Sequence, residues 1–273
     1  MIELTDTHCH IQSIGTLGGE RTTSELWSKK ESLTIDSVIK DAKNSGVNRL
    51  LAVGCDYPDS MLAADLASKH SNVWASTGIH PHEAKLYSSR AIKLKEFAAL
   101  AGRDKVVAIG ECELDYYYNH SPKEDQIKLL KFQIELALKL NLPLIFHVRE
   151  AFNDFWSIFD NYSGIRGVLH SFTDSQENMQ RAIDNNLYIG VNGIATFTKN
   201  EKQLAVYKSI PLTRLLLETD SPFLTPVPYR GKINEPKRLL SVAEFLADLQ
   251  KQSLEELAKS TTKNATELFG LQG

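Results

Sequence analysis

The chain has 273 residues, 42% hydrophobic and 24% charged, with an ordinary count of 15 Gly and 9 Pro, which predicts a soluble globular chain with a sizeable core. A net charge of -3 gives no broad basic face for nucleic acid, so any contact with phosphate has to be local. Its three cysteines, Cys9, Cys55 and Cys112, show no C-x-x-C spacing, which argues against a disulfide framework and for a reducing compartment.

Ile2-Glu3-Leu4-Thr5-Asp6 predicts a strand running into Thr7-His8-Cys9-His10. Strand side chains alternate between faces, so H-x-H aims both imidazoles one way, as two ligands of one metal ion require; a pair of solvated histidines fits this stretch alone equally well. Gln12 to Glu31 is polar, has no clear period and predicts a long loop over one end of the molecule. Thr34 caps a predicted helix through Val38, Ile39 and Ala42 that stops at Gly46, and Arg49 to Val53 reads as a buried strand. Pro58 opens a helix through Leu62, Ala63, Leu66 and Ala67, followed by strand Val73 to Thr77 and the loop Gly78-Ile79-His80-Pro81-His82.

Helix Ala91 to Ala101 leads into strand Val106 to Gly110, whose end carries Glu111, Glu113 and Asp115. Ser121-Pro122-Lys123-Glu124 has the form of a capping box and starts a long amphipathic helix that halts at Asn141 before Pro143. Strand Leu144 to Phe146 ends in His147-Val148-Arg149, helix Phe152 to Phe159 follows, and strand Gly167 to Leu169 ends in His170. Helix Gln176 to Ile183, strand Leu187 to Val191, helix Glu201 to Ser209 and strand Leu215 to Leu217 complete the series, the last ending Glu218-Thr219-Asp220-Ser221-Pro222.

Apolar strands alternating with amphipathic helices imply a parallel sheet. About eight such units in one domain spanning 1–273 favour an α/β fold of the closed (β/α)8 TIM-barrel type over an open doubly wound sheet. Barrel active sites lie at the C-terminal strand ends, where the chain places His8, His10, His80, Glu111, His147, His170 and Asp220. Each of these histidines taken singly also fits a hydrogen-bonded structural role; His70 closes a helix and His120 sits in a loop. The first residues lack a basic segment followed by an apolar stretch, and no apolar run is long enough to span a bilayer. A cytoplasmic monomer with no obligate protein partner is expected.

Asp6-Thr7-His8-Cys9-His10, Gly78-Ile79-His80-Pro81-His82, Gly110-Glu111, Phe146-His147-Val148-Arg149, His170-Ser171-Phe172-Thr173, Glu218-Thr219-Asp220-Ser221-Pro222 and Tyr229-Arg230-Gly231-Lys232-Ile233-Asn234-Glu235-Pro236 together resemble the TatD family of metal-dependent hydrolases. The resemblance includes Asn264 and Leu268-Phe269 near the C-terminus. It departs at Glu113, where Gly is usual, at Asp174, and in the length of Gln12 to Glu31. The resemblance implies an amidohydrolase-like barrel holding two divalent cations, with members assigned as deoxyribonucleases. One cation would sit on His8, His10, Glu111 and Asp220, the other on Glu111, His147 and His170, with Glu111 bridging. A carboxylate can bridge two cations and a neutral imidazole cannot, so the chemistry agrees. Imidazole-rich sites favour Zn, Mn, Ni or Co over Mg, while phosphoryl chemistry often runs with Mg, so the cations stay unspecified.

The expected catalytic pair is Glu111 and Asp220, the latter orienting the attacking water and taking its proton. His80, Arg149 and Arg230 are the expected substrate contacts, Glu218 is expected to support the ligands, and Tyr116, Tyr117 and Tyr118 can stack a base or simply pack. The expected substrate is a phosphodiester at a single-stranded DNA or RNA end. Ester or amide hydrolysis on the same site, including aminoacyl-tRNA deacylation, and a non-catalytic nucleic-acid-binding module are the alternatives.

Overall fold

The computed structural model describes residues 2–16, 21–30, 32–89, 91–118 and 120–271. Among them, eight strands run β1 (Leu4–Cys9), β2 (Val47–Val53), β3 (Val73–Thr77), β4 (Val106–Asp115), β5 (Leu144–Arg149), β6 (Gly167–Leu169), β7 (Tyr188–Val191) and β8 (Leu215–Leu217). Each pairs in parallel with the next, in the order β1 to β8. The seam between first and last is joined by a parallel bridge of Cys9 to Ser221. There the Asp220 N–H donates to the His8 carbonyl (2.8 Å) and the His10 N–H to that of Ser221 (2.9 Å). The sheet is therefore a (β/α)8 barrel, and an open doubly wound sheet, whose strand order would reverse, is excluded.

The helices begin where their sequences satisfy the first free N–H groups. α2 (Ile35–Asn44) starts on a reciprocal Thr34–Ser37 capping box, α3 (Tyr57–Lys69) on Asp56, and α8 (Gln176–Asp184) on Ser175. α5 (Ala91–Ala101), α7 (Phe152–Phe159) and α9 (Glu201–Ser209) fall where the periodicity predicts them. α6 (Lys123–Leu140) starts differently: its cap is Pro122 without a side-chain bond. Ser121 is instead spent on the neighbouring loop, its hydroxyl donating to the His82 carbonyl and accepting the Lys85 N–H, so the expected capping box does not form.

Three further expectations are corrected. β1 runs two to three residues later than Ile2 to Asp6, and β4 and β5 continue through Asp115 and Arg149. Polar residues prolong these strands because neighbouring backbone and side chains satisfy them; the Thr7 hydroxyl, for example, donates to the Leu217 carbonyl (2.9 Å). The stretch expected as one long loop carries a 3-10 turn at Ile11–Ser13 and the helix α1 (Arg21–Ser28), while 17–20 and 31 lie outside the described residues. α4 (Ala84–Tyr87), α10 (Leu239–Gln250) and α11 (Leu254–Phe269) complete the helices.

Alternate strand residues divide into two buried clusters. One packs against the surrounding helices. The other gathers Leu51 and Val53, Trp74, Ala108, Ile145, Val168, Tyr188 and Leu216 from β2 to β8, and among the described residues its helical members, Ala265, Leu268 and Phe269, come from α11. Residues of seven strands can meet without the other helices only inside the barrel, so α11 plugs the lumen. It is fixed there by the Asn264 amide, which donates to the carbonyls of Leu212 (2.7 Å) and Leu215 (2.9 Å), and by the Thr262 hydroxyl on the Glu3 carbonyl (2.9 Å). These contacts lie at the strand starts, so the plug leaves the C-terminal mouth open. None of the described helices is long and apolar enough to cross a membrane.

Asn264→Ala should lower the unfolding free energy by about 1–3 kcal/mol, the loss for buried acceptors left without a donor. Phe269→Ala should cost about 3–5 kcal/mol as a buried aromatic deletion. Urea unfolding measures both; losses below ~0.5 kcal/mol in each would mean that α11 does not seal the lumen.

Candidate functional site

The site begins at the barrel seam. Asp6 is fully buried, and its carboxylate accepts the N–H (2.9 Å) and hydroxyl (2.5 Å) of Thr219 and the N–H of His8 (3.2 Å). This clip, with Asn234 donating to the Thr219 carbonyl (2.9 Å), fixes the segment after β8 against β1. Asp220 is held in the left-handed region (φ 54°) by backbone bonds on both sides, its N–H to His8 and its carbonyl to Phe223. As a result His8 Nε2 and His10 Nε2 lie 3.8 and 3.4 Å from Asp220 Oδ1.

Glu111 stands between the remaining histidines. Its Oε2 is 3.5 Å from His8 Nε2, and its Oε1 is 3.2 Å from His147 Nδ1 and 3.6 Å from His170 Nε2. Gly78 allows this approach, since a Cβ there would collide with the Gly110–Glu111 backbone. His170 is oriented from behind, Nδ1 lying 2.9 Å from Glu218 Oε1, which also accepts the Ser171 N–H (2.7 Å) and the Asn192 amide (3.3 Å). Such a carboxylate partner sets the tautomer and aims Nε2 at the centre. His10 is oriented likewise, Nδ1 lying 2.9 Å from the Val53 carbonyl.

The donors fit a divalent cation. His8 is wholly buried and neither ring nitrogen has a well-formed hydrogen bond, an arrangement that is costly unless something else engages them. Donors sharing one cation at about 2.0–2.2 Å sit roughly 3 to 4 Å apart, which is the spacing around His8, Glu111 and Asp220. Ligand atoms of His8, His10 and Glu111, of His8, His170 and Asp220, and of Glu111, His147 and His170 lie within 4.8 Å of one another. The His8 and His170 rings stack at 3.6 Å, so the histidines form one continuous cluster rather than two separated sets.

Charge in the cluster is strongly coupled. Burial by itself raises the Glu111 carboxyl, but the surrounding imidazoles of His8, His147 and His170 outweigh it and hold the group well below the usual carboxylate range. Burial likewise opposes ionisation of Asp220, and His10, His170 and His8 overcome it. His8 is pushed down by burial and by His170, whereas Asp220 raises His10 to about 9 and Glu218 raises His170 to about 10 despite their burial. Two ionised carboxylates thus draw positive charge into a site walled by protein.

A cleft of about 410 Å³ opens over this cluster, lined by His10, Glu111, His147, His170 and Asp220 together with His80 and Arg149. Arg149 lies over the rings of Tyr117 (4.0 Å) and Tyr118 (4.8 Å), both half exposed, and Tyr118 lines the cleft. Tyr116 is engaged elsewhere, donating to Asp154 (2.7 Å). Arg230 is not brought into the lining: it donates to the Thr225 carbonyl (2.9 Å) and stacks on Phe197 (3.7 Å). Sequence reasoning did not find Trp27, whose indole N–H holds the His10 carbonyl (2.9 Å), nor the Gln12 amide, which donates to the Val53 carbonyl (2.8 Å) and Asp59 (2.9 Å). A lone Trp in a polar stretch was the only available signal.

The model of the family described as TatD related DNase matches residues 5–270. A metal-dependent hydrolase of Bacillus subtilis, YabD, is 38% identical over 97% of this chain and 98% of its own length. The 3'-5' ssDNA/RNA exonuclease TatD of Shigella flexneri is 33% identical over 93% and 98%. Among solved structures, the TatD homologue YjjV of Escherichia coli superposes with a TM-score of 0.83 at 26% identity, covering 98% of both chains. With a matching barrel, an acid-bridged histidine cluster at its mouth and relatives matched nearly end to end, the chain belongs to the TatD family of metal-dependent hydrolases.

Proposed function

We propose that the protein is an exonuclease that removes nucleotides from single-stranded DNA or RNA ends, holding one divalent cation on His8, His10, Glu111 and Asp220 and a second on Glu111, His147 and His170. The observation that carries this reading is the division of Glu111, with Oε2 toward His8 and Oε1 toward His147 and His170, as expected of a carboxylate shared by two cations. Bound cations supply Lewis acidity at a phosphoryl oxygen and ease the loss of a proton from water. Asp220, kept ionised at the cleft wall, accepts the proton of the attacking water. His80 is kept neutral, burial pushing its imidazole to about 3, and offers a hydrogen bond to a phosphate oxygen without adding charge.

Arg149 meets the phosphate from the rim, and Arg230, outside the cleft, reaches only chain beyond the terminal nucleotide. A cleft this small accepts a chain end and not the middle of a stiff duplex. The substrate named for the Shigella relative supports the same choice. In this reading the protein works as a cytoplasmic monomer.

Asp220→Asn should reduce kcat by about 10²-fold or more while circular dichroism stays unchanged; near-normal turnover would assign the base elsewhere. Chelation should abolish activity, add-back should restore it, and elemental analysis of the restored protein should find two cations per chain. End-labelled single strands should shorten stepwise from one end, faster than duplexes. Turnover confined to ester, lactone or amide substrates would replace the nuclease reading with carbonyl hydrolysis.

A further inference from the structure

The wall of the cleft facing Asp220 carries a second constellation. In a barrel ordered β1 to β8, β4 stands across the mouth from β8. Asp220 follows β8; Asp115 ends β4, and His82 follows β3, all three lining the same cleft. His82 Nε2 lies 3.3 Å from Asp115 Oδ2. Asp115 is almost completely buried, and its other oxygen accepts the N–H groups of Tyr117 (2.8 Å) and Tyr118 (3.0 Å), so its direction is fixed.

Two buried glutamines of α6 build the frame. Gln126 accepts the Asp115 N–H (2.9 Å) and donates to the Asp115 carbonyl (3.2 Å), and Gln133 brackets Ile79 in the same way (2.8 and 3.1 Å). The His82 side chain is 30% exposed toward the mouth. Its ring lies 4.2 Å from His80, which is 6.0 Å from His147, so the dyad borders the proposed cation site without joining it. Among the described residues, neither His82 nor Asp115 belongs to a donor group close enough to hold a cation.

In-line displacement at phosphorus puts the attacking and leaving oxygens on opposite sides, so the group that takes the water proton and the group that protonates the leaving oxygen belong on opposite walls. The groups facing His82 are His80, Asp115, Tyr118 and His120. His80 is held neutral by burial and has no spare proton to give near neutral pH. Asp115, opposed by burial but favoured by His82 and the two backbone N–H groups, stays ionised, and its Oδ2, 3.3 Å from His82 Nε2, fixes the ring with its other edge toward the cleft.

We propose that His82, positioned by Asp115, is the general acid that protonates the leaving oxygen of the phosphodiester; this deepens the phosphodiesterase reading above and rests on it. As the water oxygen bonds to phosphorus, its proton passes to Asp220. The phosphorus–oxygen bond to the leaving sugar breaks, its electron pair stays on that oxygen, and the oxygen takes the proton of His82. The exposed edge of the imidazole regains a proton from solvent.

The test compares wild type, His82→Ala, His82→Gln and Asp115→Asn on two metal-dependent reactions of the loaded enzyme: cleavage of a thymidylyl dinucleotide and of thymidine 5'-(p-nitrophenyl phosphate). Rates are taken at saturation, so that binding drops out. The sugar alkoxide needs a proton to leave and nitrophenolate does not. Both His82 variants should therefore lose about 10²-fold or more on the dinucleotide, the scale of general-acid loss, and less than about tenfold on the nitrophenyl ester. Asp115→Asn should show the same selectivity, smaller in size. Equal losses on the two substrates, or none on the dinucleotide, would overturn the assignment. Thermal unfolding of each variant accompanies the rates, and retained nitrophenyl turnover itself reports an intact site. A wild type that cleaves neither phosphodiester while turning over carbonyl esters would instead overturn the phosphodiesterase reading.

Discussion

The molecule depends on one clip, the buried carboxylate of Asp6 closed over Thr219. Parallel strands in an eight-stranded barrel have one seam at which first and last strand must find each other, and here β8 is short, only Leu215–Leu217. The ladder is extended past its end by side chains. Burial raises the Asp6 carboxyl to about 7, yet three donors gather around it. Closing the seam in this way also sets Asp220 beside His8 and His10, so the interaction that completes the fold assembles half of the candidate metal site.

The rest of the site follows from confining charge. The chain is acidic overall, and its cleft is lined by Glu111, Asp220 and Asp115 among imidazoles, with Glu218 and Asp59 buried behind them. Each buried carboxylate has fixed partners: Glu218 has His170, Ser171 and Asn192, Asp115 has His82 and two backbone N–H groups, and Asp59 has Gln12, Ser13 and the Cys55 N–H. Glu111 and Asp220, in contrast, each face two or more imidazoles, most of them 3.4 to 3.8 Å away, with His147 nearer, at 3.2 Å from Glu111. Acids committed to fixed structural partners and acids shared among the candidate ligands are thus told apart by their partners.

Precision comes from residues that make close approach possible. Gly190 is one: a Cβ there would stand 2.5 Å from Glu218 Oε2, so the strand beside His170 has room for its carboxylate only as glycine. α6 contributes Gln126 and Gln133, one on each side of the loops that carry His80, His82 and Asp115. α1 contributes Trp27 to the back of His10. None of these touches the cleft centre, and all of them determine where its side chains point.

The sequence by itself determined the barrel and the histidine and acid ends of its strands, because apolar runs of period two and helical runs of period near four are local patterns, and H-x-H at a strand end needs only alternation. It misplaced the Ser121 cap and saw only a loop between Gln12 and Glu31, since a serine hydroxyl chooses among partners and an amphipathic helix as short as α1 has too few residues to show a period. Tertiary structure alone decided the partnerships: Asp6 with Thr219 across 213 positions, His170 with Glu218, His82 with Asp115, and the histidines merged into one cluster. The physical reason is that each is a hydrogen bond or charge contact between strand ends far apart in the chain, and only closure of the barrel brings those ends to one mouth.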